Sequence, residues 1–234
     1  MTALAVATGH VAANLADVRR RIERACDRAG RDPASVRLVG VTKTIPCDVV
    51  RAALDAGLAH LGESRVQEAL PKMRELADRA PTWHLIGHLQ TNKARLAAEV
   101  FDRIESVDSV KLAEVLEEDA EEIGRDLRVF VQVKVGDEES KNGVPLADLA
   151  RHVREIDAFP RVTVVGLMSI PPERQTEAES RADFRALRQA FDRLRADMPA
   201  MRHLSMGMSA DFELAIEEGA TEVRVGTALF GRRA

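Results

Sequence analysis

Lys43 is the residue whose type and position point most directly to chemistry. It follows Leu38, Val39 and Val41 in an apolar run typical of a buried strand, and Pro46 suits the first turn of a following helix. A lysine at the carboxyl end of a strand lies where α/β proteins place reactive groups. Because an amine is nucleophilic only when neutral, it would have to be desolvated or lie near another cation. Two interpretations stay open here, a lysine that forms a Schiff base and a solvated loop lysine.

Two short loops near the end of the sequence have the composition of a phosphate site. Gly207 and Ser209 lie in the first loop, and Gly226 and Thr227 lie in the second. Glycine lets the backbone approach a ligand, hydroxyl groups add donors, and helix N-termini favour an anion. Either loop alone could be an ordinary turn with an N-cap, but the two together favour a phosphate site.

The pattern of the whole chain predicts the elements that would bring these residues together. After a leading helix at about 9–30, apolar runs and helical periodicities alternate eight times without a linker rich in Pro, Gly or Ser. Such alternation is typical of parallel strands joined by crossover helices. We predict a single α/β domain over 1–234, with a (β/α)8 TIM barrel at 36–231. The alternative is an open doubly wound sheet, which is disfavoured because no strand is followed by GxGxxG.

Local signals give the expected boundaries of these elements. The predicted strands are at 36–42, 58–62, 82–86, 101–106, 127–135, 162–168, 202–204 and 222–225. Ser64 and Gln67 have the spacing of a capping box, which predicts a helix over 64–79. A further helix is expected over 145–158.

The composition excludes several classes of protein. A net charge of −4 and an aromatic content of 3% give no reason to expect nucleic-acid binding, and the apolar runs are too short to span a membrane. Residues 1–8 lack the basic segment of a signal peptide, and Cys26 and Cys47 give neither a disulfide framework nor a metal site. The sequence contains no tyrosine, so a mechanism that needs a tyrosine acid or base is excluded. We expect a cytoplasmic protein.

A nucleophilic lysine and a phosphate site on one barrel face suggest pyridoxal 5′-phosphate (PLP) as the cofactor. Its aldehyde would meet Lys43, and its phosphate would meet the two loops on the opposite side of the barrel mouth. Arg224 would face the pyridine nitrogen if its side of the last strand faces the lumen, and a permanently charged arginine would weaken the cofactor as an electron sink. The alternative for Arg224 is an ion pair at the strand end with Glu222 or Glu213.

Seven segments carry a resemblance to a known family, and they occur in that family's order from about residue 36 to the end. They are 41–44 (VTKT), 62–64 (GES), 66–68 (VQE), 83–93 (WHLIGHLQTNK), 166–168 (GLM), 204–211 (LSMGMSAD) and 224–231 (RVGTALFG). Together they resemble the YggS/PROSC family of pyridoxal phosphate homeostasis proteins. The resemblance implies a barrel like the N-terminal domain of alanine racemase, a PLP protein of fold type III, with the cofactor on Lys43.

The resemblance also implies the cofactor-binding residues. Phosphate contacts are expected at Ser209, Gly226 and Thr227, and Arg224 is expected near the pyridine nitrogen. The full predicted set is Lys43, Ser64, Met206, Ser209, Arg224, Gly226 and Thr227. No catalytic residue and no metal ligand is assigned.

Two positions depart from the family pattern. Ser64 stands where the family usually has asparagine, and serine is shorter with one donor fewer. Lys134 replaces an asparagine that is common after the fifth strand. A second amine there could bind an anion or depress the pKa of Lys43, or it could point outward to the helices.

Three functions are compared with these features. The first is a protein that holds PLP as a Schiff base on Lys43 for intracellular vitamin B6 homeostasis, without robust turnover. The second is a PLP-dependent amino-acid racemase-like enzyme, and the third is a barrel aldolase without a cofactor. Racemisation needs a base on each cofactor face, and the tyrosine that usually supplies the second base is missing. We therefore favour the homeostasis role. The expected partners are PLP and PLP-dependent apo-enzymes, and the chain is expected to be a monomer.

Overall fold

Eight parallel strands form a closed barrel in the computed structural model, which describes residues 3–136, 142–172 and 174–231. The strands are β1 Arg37–Val41, β2 His60–Glu63, β3 Thr82–Leu85, β4 Arg103–Val107, β5 Leu127–Lys134, β6 Val162–Met168, β7 His203–Ser205 and β8 Glu222–Val225. Each pairs in parallel with the next, and β8 pairs with β1 to close the ring. The predicted (β/α)8 barrel is therefore confirmed.

Helices surround the barrel and connect its strands. They are α1 Ala3–Arg28, α2 Cys47–Asp55, α3 Val66–Glu75, α4 Ala94–Val100, α5 Val110–Ile123, α6 Leu149–Asp157, α7 Glu177–Arg195, α8 Phe212–Glu217 and α9 Thr227–Phe230. Within the described part of the chain, none of them combines the length and apolar character that a membrane span requires. The polar segment at 136–143, which the sequence predicts to be a loop, lies partly outside the described residues.

Two predicted helix starts are wrong, for different physical reasons. The capping box at Ser64 does not form, because β2 continues to Glu63 and the Ser64 carbonyl is packed against Gly87, where an added Cβ would lie 2.2 Å from that oxygen. Helix α3 begins two residues later, with Arg65 as its N-cap. The predicted helix over 145–158 begins only at residue 149, because Val144–Pro145 pairs with β5 as a two-residue strand.

The leading helix α1 is longer than expected at its start, and it packs on α2, α8 and α9. Its buried stripe is Val11, Leu15, Val18 and Ile22, at the i, i+3, i+4 spacing of an amphipathic helix. Each such side chain contributes about 1.5–3 kcal/mol when it is fully buried. The helix therefore covers one flank of the barrel instead of extending away from it.

Polar contacts fix α1 against the two last helices. The Asn14 amide donates to the Leu229 carbonyl at 2.9 Å, and Arg21 donates to both carboxylate oxygens of Glu213 at 2.7 and 2.9 Å. Because α8 and α9 directly follow the two glycine-containing loops, α1 holds the part of the barrel where the sequence predicts a phosphate site.

Candidate functional site

Lys43 lies two residues beyond β1, at the carboxyl end of the barrel, and its side chain is half-buried. By strand alternation it shares the side of β1 that carries Arg37, whose guanidinium reaches Glu222 inside the barrel. Among the described residues, no hydrogen bond or ion pair involves the Lys43 ammonium. The amine is therefore placed at the mouth of the lumen and available to a ligand.

A buried clamp holds the backbone in front of Lys43. The Thr42 hydroxyl and the Lys72 ammonium both donate to Glu63 Oε1 at 2.7 Å, and Lys72 also donates to the Thr42 carbonyl. Thr42 and Glu63 are fully buried. On the other side of Lys43, Thr44 has a φ of +64°, which is strained for a β-branched residue. The Lys43 backbone is thus fixed from both sides.

Arg224 lies inside the barrel and is only 3% exposed. Its Nη1 donates to the Ser205 hydroxyl at 2.6 Å, and its Nη2 donates to the Ser169 carbonyl at 2.7 Å. Burial lowers the pKa of Arg224, opposed by the nearby carboxylates. Two of its five N–H donors are used in these bonds, so the guanidinium can still donate to a ligand at the barrel mouth.

The alternative ion pairs considered for Arg224 do not form. Glu222 accepts from Arg37 at 2.7 Å instead, and Glu213 is paired with Arg21 on α1. The two side chains extend in different directions. The Glu222 carboxylate lies toward the amino-terminal end of the lumen, whereas the Arg224 guanidinium donates to Ser205 on β7.

The two glycine-containing loops are joined by a serine. Ser209 Oγ accepts hydrogen bonds from the backbone N–H groups of Gly226 at 3.2 Å and of Ala228 at 3.3 Å. Thr227 is exposed as the first residue of α9. Backbone donors and two hydroxyl groups therefore converge at one helix N-terminus, an arrangement that suits an anion.

The loop that contains Gly226 lies beside Lys43 and not on the opposite side of the mouth, so the expected position is wrong for this loop. Barrel closure pairs β8 with β1, with Gly40 opposite Val225. A Cβ built on Gly226 would lie 3.4 Å from the Val41 Cβ, two residues before Lys43. The first and last strands of a closed barrel are neighbours, so residues far apart in sequence meet there.

Gly207 and Gly226 differ in whether the fold itself requires glycine at that position. Gly207 has a φ of +92°, and an added Cβ would lie 2.5 Å from the Ala215 Cβ, so the fold itself requires glycine there. Gly226 has a φ of −114°, and its Cβ would make only an ordinary contact. The fold therefore does not need glycine at 226, whereas a ligand close to the backbone would.

The two remaining predicted residues have different surroundings. Ser64 is half-buried after β2 beside a cavity of about 380 Å³ that Gln67 and His88 also line, and within the described ranges its hydroxyl has no hydrogen-bond partner. Met206 is fully buried in the core, and its N–H donates to the Glu222 carbonyl. Its side chain packs in the core behind the loop that contains Ser209.

Lys134 shares the inner side of β5. Residues 130, 132 and 134 lie on one side of the strand, so Lys134 shares its side with Gln132 and Phe130. Phe130 packs with Val165 and Met168 in a small cluster separate from the main core. This side opposes the helix-facing residues of β5. The interpretation in which Lys134 points outward to the helices is therefore disfavoured.

A buried polar cluster inside the barrel was not predicted from the sequence. It contains His84, Glu105 and Glu222, each fully buried, with His60 and His203 at its amino-terminal edge. Burial lowers the pKa of His60 and His84 to about 4 and that of His203 to about 3. The available signal was the alternation of polar residues within otherwise apolar strands, such as Arg103 and Glu105 in β4 or Glu222 and Arg224 in β8.

Comparison with known proteins places this geometry in a family. The family described as alanine racemase, N-terminal domain, matches residues 13–234. A pyridoxal phosphate homeostasis protein of Aquifex aeolicus is 44% identical over 220 residues, covering 94% of this chain and 96% of the relative.

Solved structures agree with this assignment. PipY of Synechococcus elongatus, in the structure with PLP bound, is 42% identical, with a TM-score of 0.82 over 94% of this chain and 100% of PipY. Alanine racemase of Clostridium difficile shares the fold at 14% identity, with a TM-score of 0.75 over 96% of this chain and 57% of the racemase. The chain belongs to the family of pyridoxal phosphate homeostasis proteins, built on the alanine racemase N-terminal domain fold.

Proposed function

We propose that this protein holds PLP as a Schiff base on Lys43 at the mouth of its barrel and serves intracellular PLP homeostasis. The cofactor supplies an aldehyde that condenses with an amine and releases water. In the proposed site, Ser209, Gly226 and Thr227 bind the phosphate, and Arg224 donates toward the pyridine nitrogen. Ser64 contributes to the wall of the site, and Met206 supports the loop that contains Ser209 from the core.

One observation carries this proposal, namely that the strand that precedes Lys43 is the direct neighbour of the strand that precedes Gly226. The aldehyde and the phosphate arm of PLP are attached to neighbouring ring carbons. A nucleophilic lysine and an anion cradle on neighbouring strands match that spacing. Two further observations support the same assignment. The Lys43 ammonium has no partner among the described residues, and the fold does not require glycine at 226.

A holding role is favoured over robust catalysis. Removal of a Cα proton and its return on the other face need a base on each side of the cofactor. Lys43 could act on one face, and the sequence offers no tyrosine for the other. A permanently charged Arg224 near the ring nitrogen would also keep that nitrogen unprotonated, which limits electron withdrawal. We propose that the protein gives PLP to apo-enzymes as a cytoplasmic monomer, and its two free cysteines suit a reducing compartment.

The test is the absorbance spectrum of the purified protein with added PLP, before and after borohydride. We expect a visible band that borohydride bleaches, together with a stable mass increase on the peptide that contains Lys43. Lys43→Ala should lose both signals. Lys134→Ala is the matched control, because it removes the other lysine on the inner side of the barrel and should retain them.

Other outcomes would change the assignment. A wild-type protein that neither shows the band nor takes up PLP would overturn the proposal and favour an aldolase that uses the lysine alone. Steady racemase turnover that disappears in Lys43→Ala would favour an enzyme. Incubation of the loaded protein with a PLP-dependent apo-enzyme then measures the transfer of cofactor directly, as recovered enzyme activity.

A further inference from the structure

A continuous chain of hydrogen bonds runs through the barrel lumen from the proposed cofactor site. Arg224 Nη1 donates to Ser205 Oγ at 2.6 Å, and Ser205 Oγ donates to Glu105 Oε2 at 2.7 Å. Glu105 Oε1 is 2.6 Å from His84 Nδ1, and His84 Nε2 is 3.1 Å from His60 Nδ1. We call these five residues the lumen relay.

The relay is shielded from water over most of its length. Ser205, Glu105 and His84 have no exposed surface, while His60 is half-buried on the wall of a cavity of about 700 Å³ at the amino-terminal end of the barrel. Hydrogen bonds of a charged group are strong in such an interior, and a buried charge that loses its partner is costly. Each member of the relay therefore constrains the next.

The proton positions in the relay follow from its chemistry. Arginine can only donate, so the Ser205 hydroxyl accepts from Arg224 and must donate onward to Glu105. Burial lowers the pKa of His84 to about 4, so its neutral ring donates from Nδ1 to Glu105 and accepts at Nε2 from His60. Glu105 thus receives a hydrogen-bond donor on each of its two oxygens.

We propose, resting on the PLP-binding function above, that Glu105 is a positioning residue of the cofactor site. Acting through Ser205, it orients the Arg224 guanidinium and supplies the negative charge that keeps this cation in the lumen. Glu105 does not contact the cofactor. The sequence predicts that Arg224 lies in the site. In the structure, Arg224 is connected through the Ser205 hydroxyl to the Glu105 carboxylate.

A metal ion is the competing interpretation of the same cluster. Ligand atoms of His84, Glu105 and Glu222 lie within 4.8 Å of one another. Against a metal, His84 Nδ1 already donates to Glu105, and Glu222 already accepts from Arg37. Metal binding would need a deprotonated Nδ1 beside several guanidinium groups, so a hydrogen-bonded relay fits the cluster better.

The experiment uses the full-length protein and the variants Glu105→Gln, Ser205→Ala and their double. Glu217→Gln is the matched control, since it removes the charge of a carboxylate that is 14% exposed and pairs with Arg28 and Arg181 in the helical layer, outside the lumen relay. PLP affinity is followed by quenching of Trp83, the single tryptophan in a chain without tyrosine. The pH midpoint of the visible band of the loaded protein is measured in parallel.

We expect Glu105→Gln and Ser205→Ala each to weaken PLP binding roughly tenfold, because a hydrogen bond to a charged group is lost. The double variant should be no weaker than the weaker single, whereas Ser205→Ala and Glu217→Gln should combine additively. Glu105→Gln should also move the pH midpoint downward, because losing a negative charge disfavours the protonated form of a nearby group. The groups that interact with Glu105 or His84 are Arg37, His60, Asp102, Arg103, His203, Glu222 and Arg224.

A measurement without PLP separates this proposal from the proposed function. In the ligand-free protein, the Arg224 guanidinium N–H signals in nitrogen-15 NMR, assigned by their loss in Arg224→Lys, should exchange slowly with solvent. Ser205→Ala and Glu105→Gln should both make them exchange rapidly. Unchanged protection in both variants would overturn the positioning role even if PLP binds. Ser205→Ala removes only one hydroxyl, so it carries the test if Glu105→Gln fails to fold.

Discussion

The Ser209 hydroxyl accepts a hydrogen bond from the backbone N–H of Gly226 at 3.2 Å, and this bond ties the loop after β7 to the loop after β8. The serine therefore occupies donors that an anion would use. A phosphate at this helix N-terminus would take over those N–H groups and gain the serine proton as a further donor.

We expect Gly226→Ala to separate ligand binding from folding. Its backbone φ of −114° suits alanine, and the new Cβ would meet Val41 at an ordinary 3.4 Å, so the free energy of unfolding should change by less than about 1 kcal/mol. PLP affinity, measured by Trp83 quenching, should fall roughly tenfold or more if the phosphate lies against this backbone. Pyridoxal, which lacks the phosphate, is the control ligand, and an equal loss for both ligands would contradict the assignment.

Gly207→Ala should instead destabilise the fold. At a φ of +92° the left-handed backbone alone costs roughly 1–2 kcal/mol for alanine, and the 2.5 Å approach to the Ala215 Cβ adds about 1–3 kcal/mol of overpacking. Urea denaturation measures the total. Gly124→Ala is the matched control, because Gly124 has a φ of +66° and an open Cβ position, so only the backbone cost remains. Equal losses in the two variants would show that the contact at 207 relaxes freely.

Removing the Lys72 ammonium from the buried clamp before Lys43 should lower the free energy of unfolding. Lys72→Met leaves the fully buried Glu63 carboxylate with the Thr42 hydroxyl alone, and breaking such a pair typically costs about 3–5 kcal/mol. Lys72→Met combined with Glu63→Gln should recover part of this loss in urea denaturation. Arg20→Met, which breaks the exposed pair with Asp17, should cost at most about 1 kcal/mol. A Lys72→Met variant as stable as Arg20→Met would mean that the clamp contributes little.

Stability should fall as pH decreases from about 6.5 toward 4. Burial lowers the pKa of His60 and His84 to about 4 and that of His203 to about 3, so these three histidines bind more protons in the unfolded chain in this window. Burial raises the pKa of Glu222, which opposes this slope, but the three histidines together outnumber it. Stability therefore rises with pH through the window and reaches its full value above the unfolded pKa. Thermal unfolding midpoints measured between pH 7 and 4.5 should show this slope. His203→Gln should reduce it, and a substitution of the exposed His10 should leave it unchanged.

Much of the fold could be predicted because the signals were local and repeated. Apolar runs gave all eight strands to within about two residues, and the alternation with helices gave the barrel. Helix starts were harder. The apparent capping box at Ser64 competes with strand pairing and fails, whereas a real one forms from Thr176 and Glu179 at the start of α7. Both segments have the residue spacing of a capping box, so the surrounding tertiary structure determines whether the box forms.

The candidate site was predicted only in part. The chemistry of Lys43, Ser209 and Gly226 is visible from residue type and from their positions after strands, but their adjacency depends on barrel closure. Glu105 could not be placed behind Arg224 from sequence, because its contact with Ser205 crosses the lumen between strands 100 residues apart. Buried charges on alternating strand positions are the signal to look for in related chains.

The lumen relay makes the two ends of the barrel thermodynamically dependent on each other. If binding of the cofactor near Arg224 changes the proton affinity of His60 by some factor, then by reciprocity protonation of His60 changes the affinity for the cofactor by the same factor. His60 is on the wall of the cavity at the amino-terminal end, so that end of the protein would sense whether the other end is loaded. A partner that binds this amino-terminal end could therefore distinguish the cofactor-loaded protein from the unloaded one without contacting the cofactor.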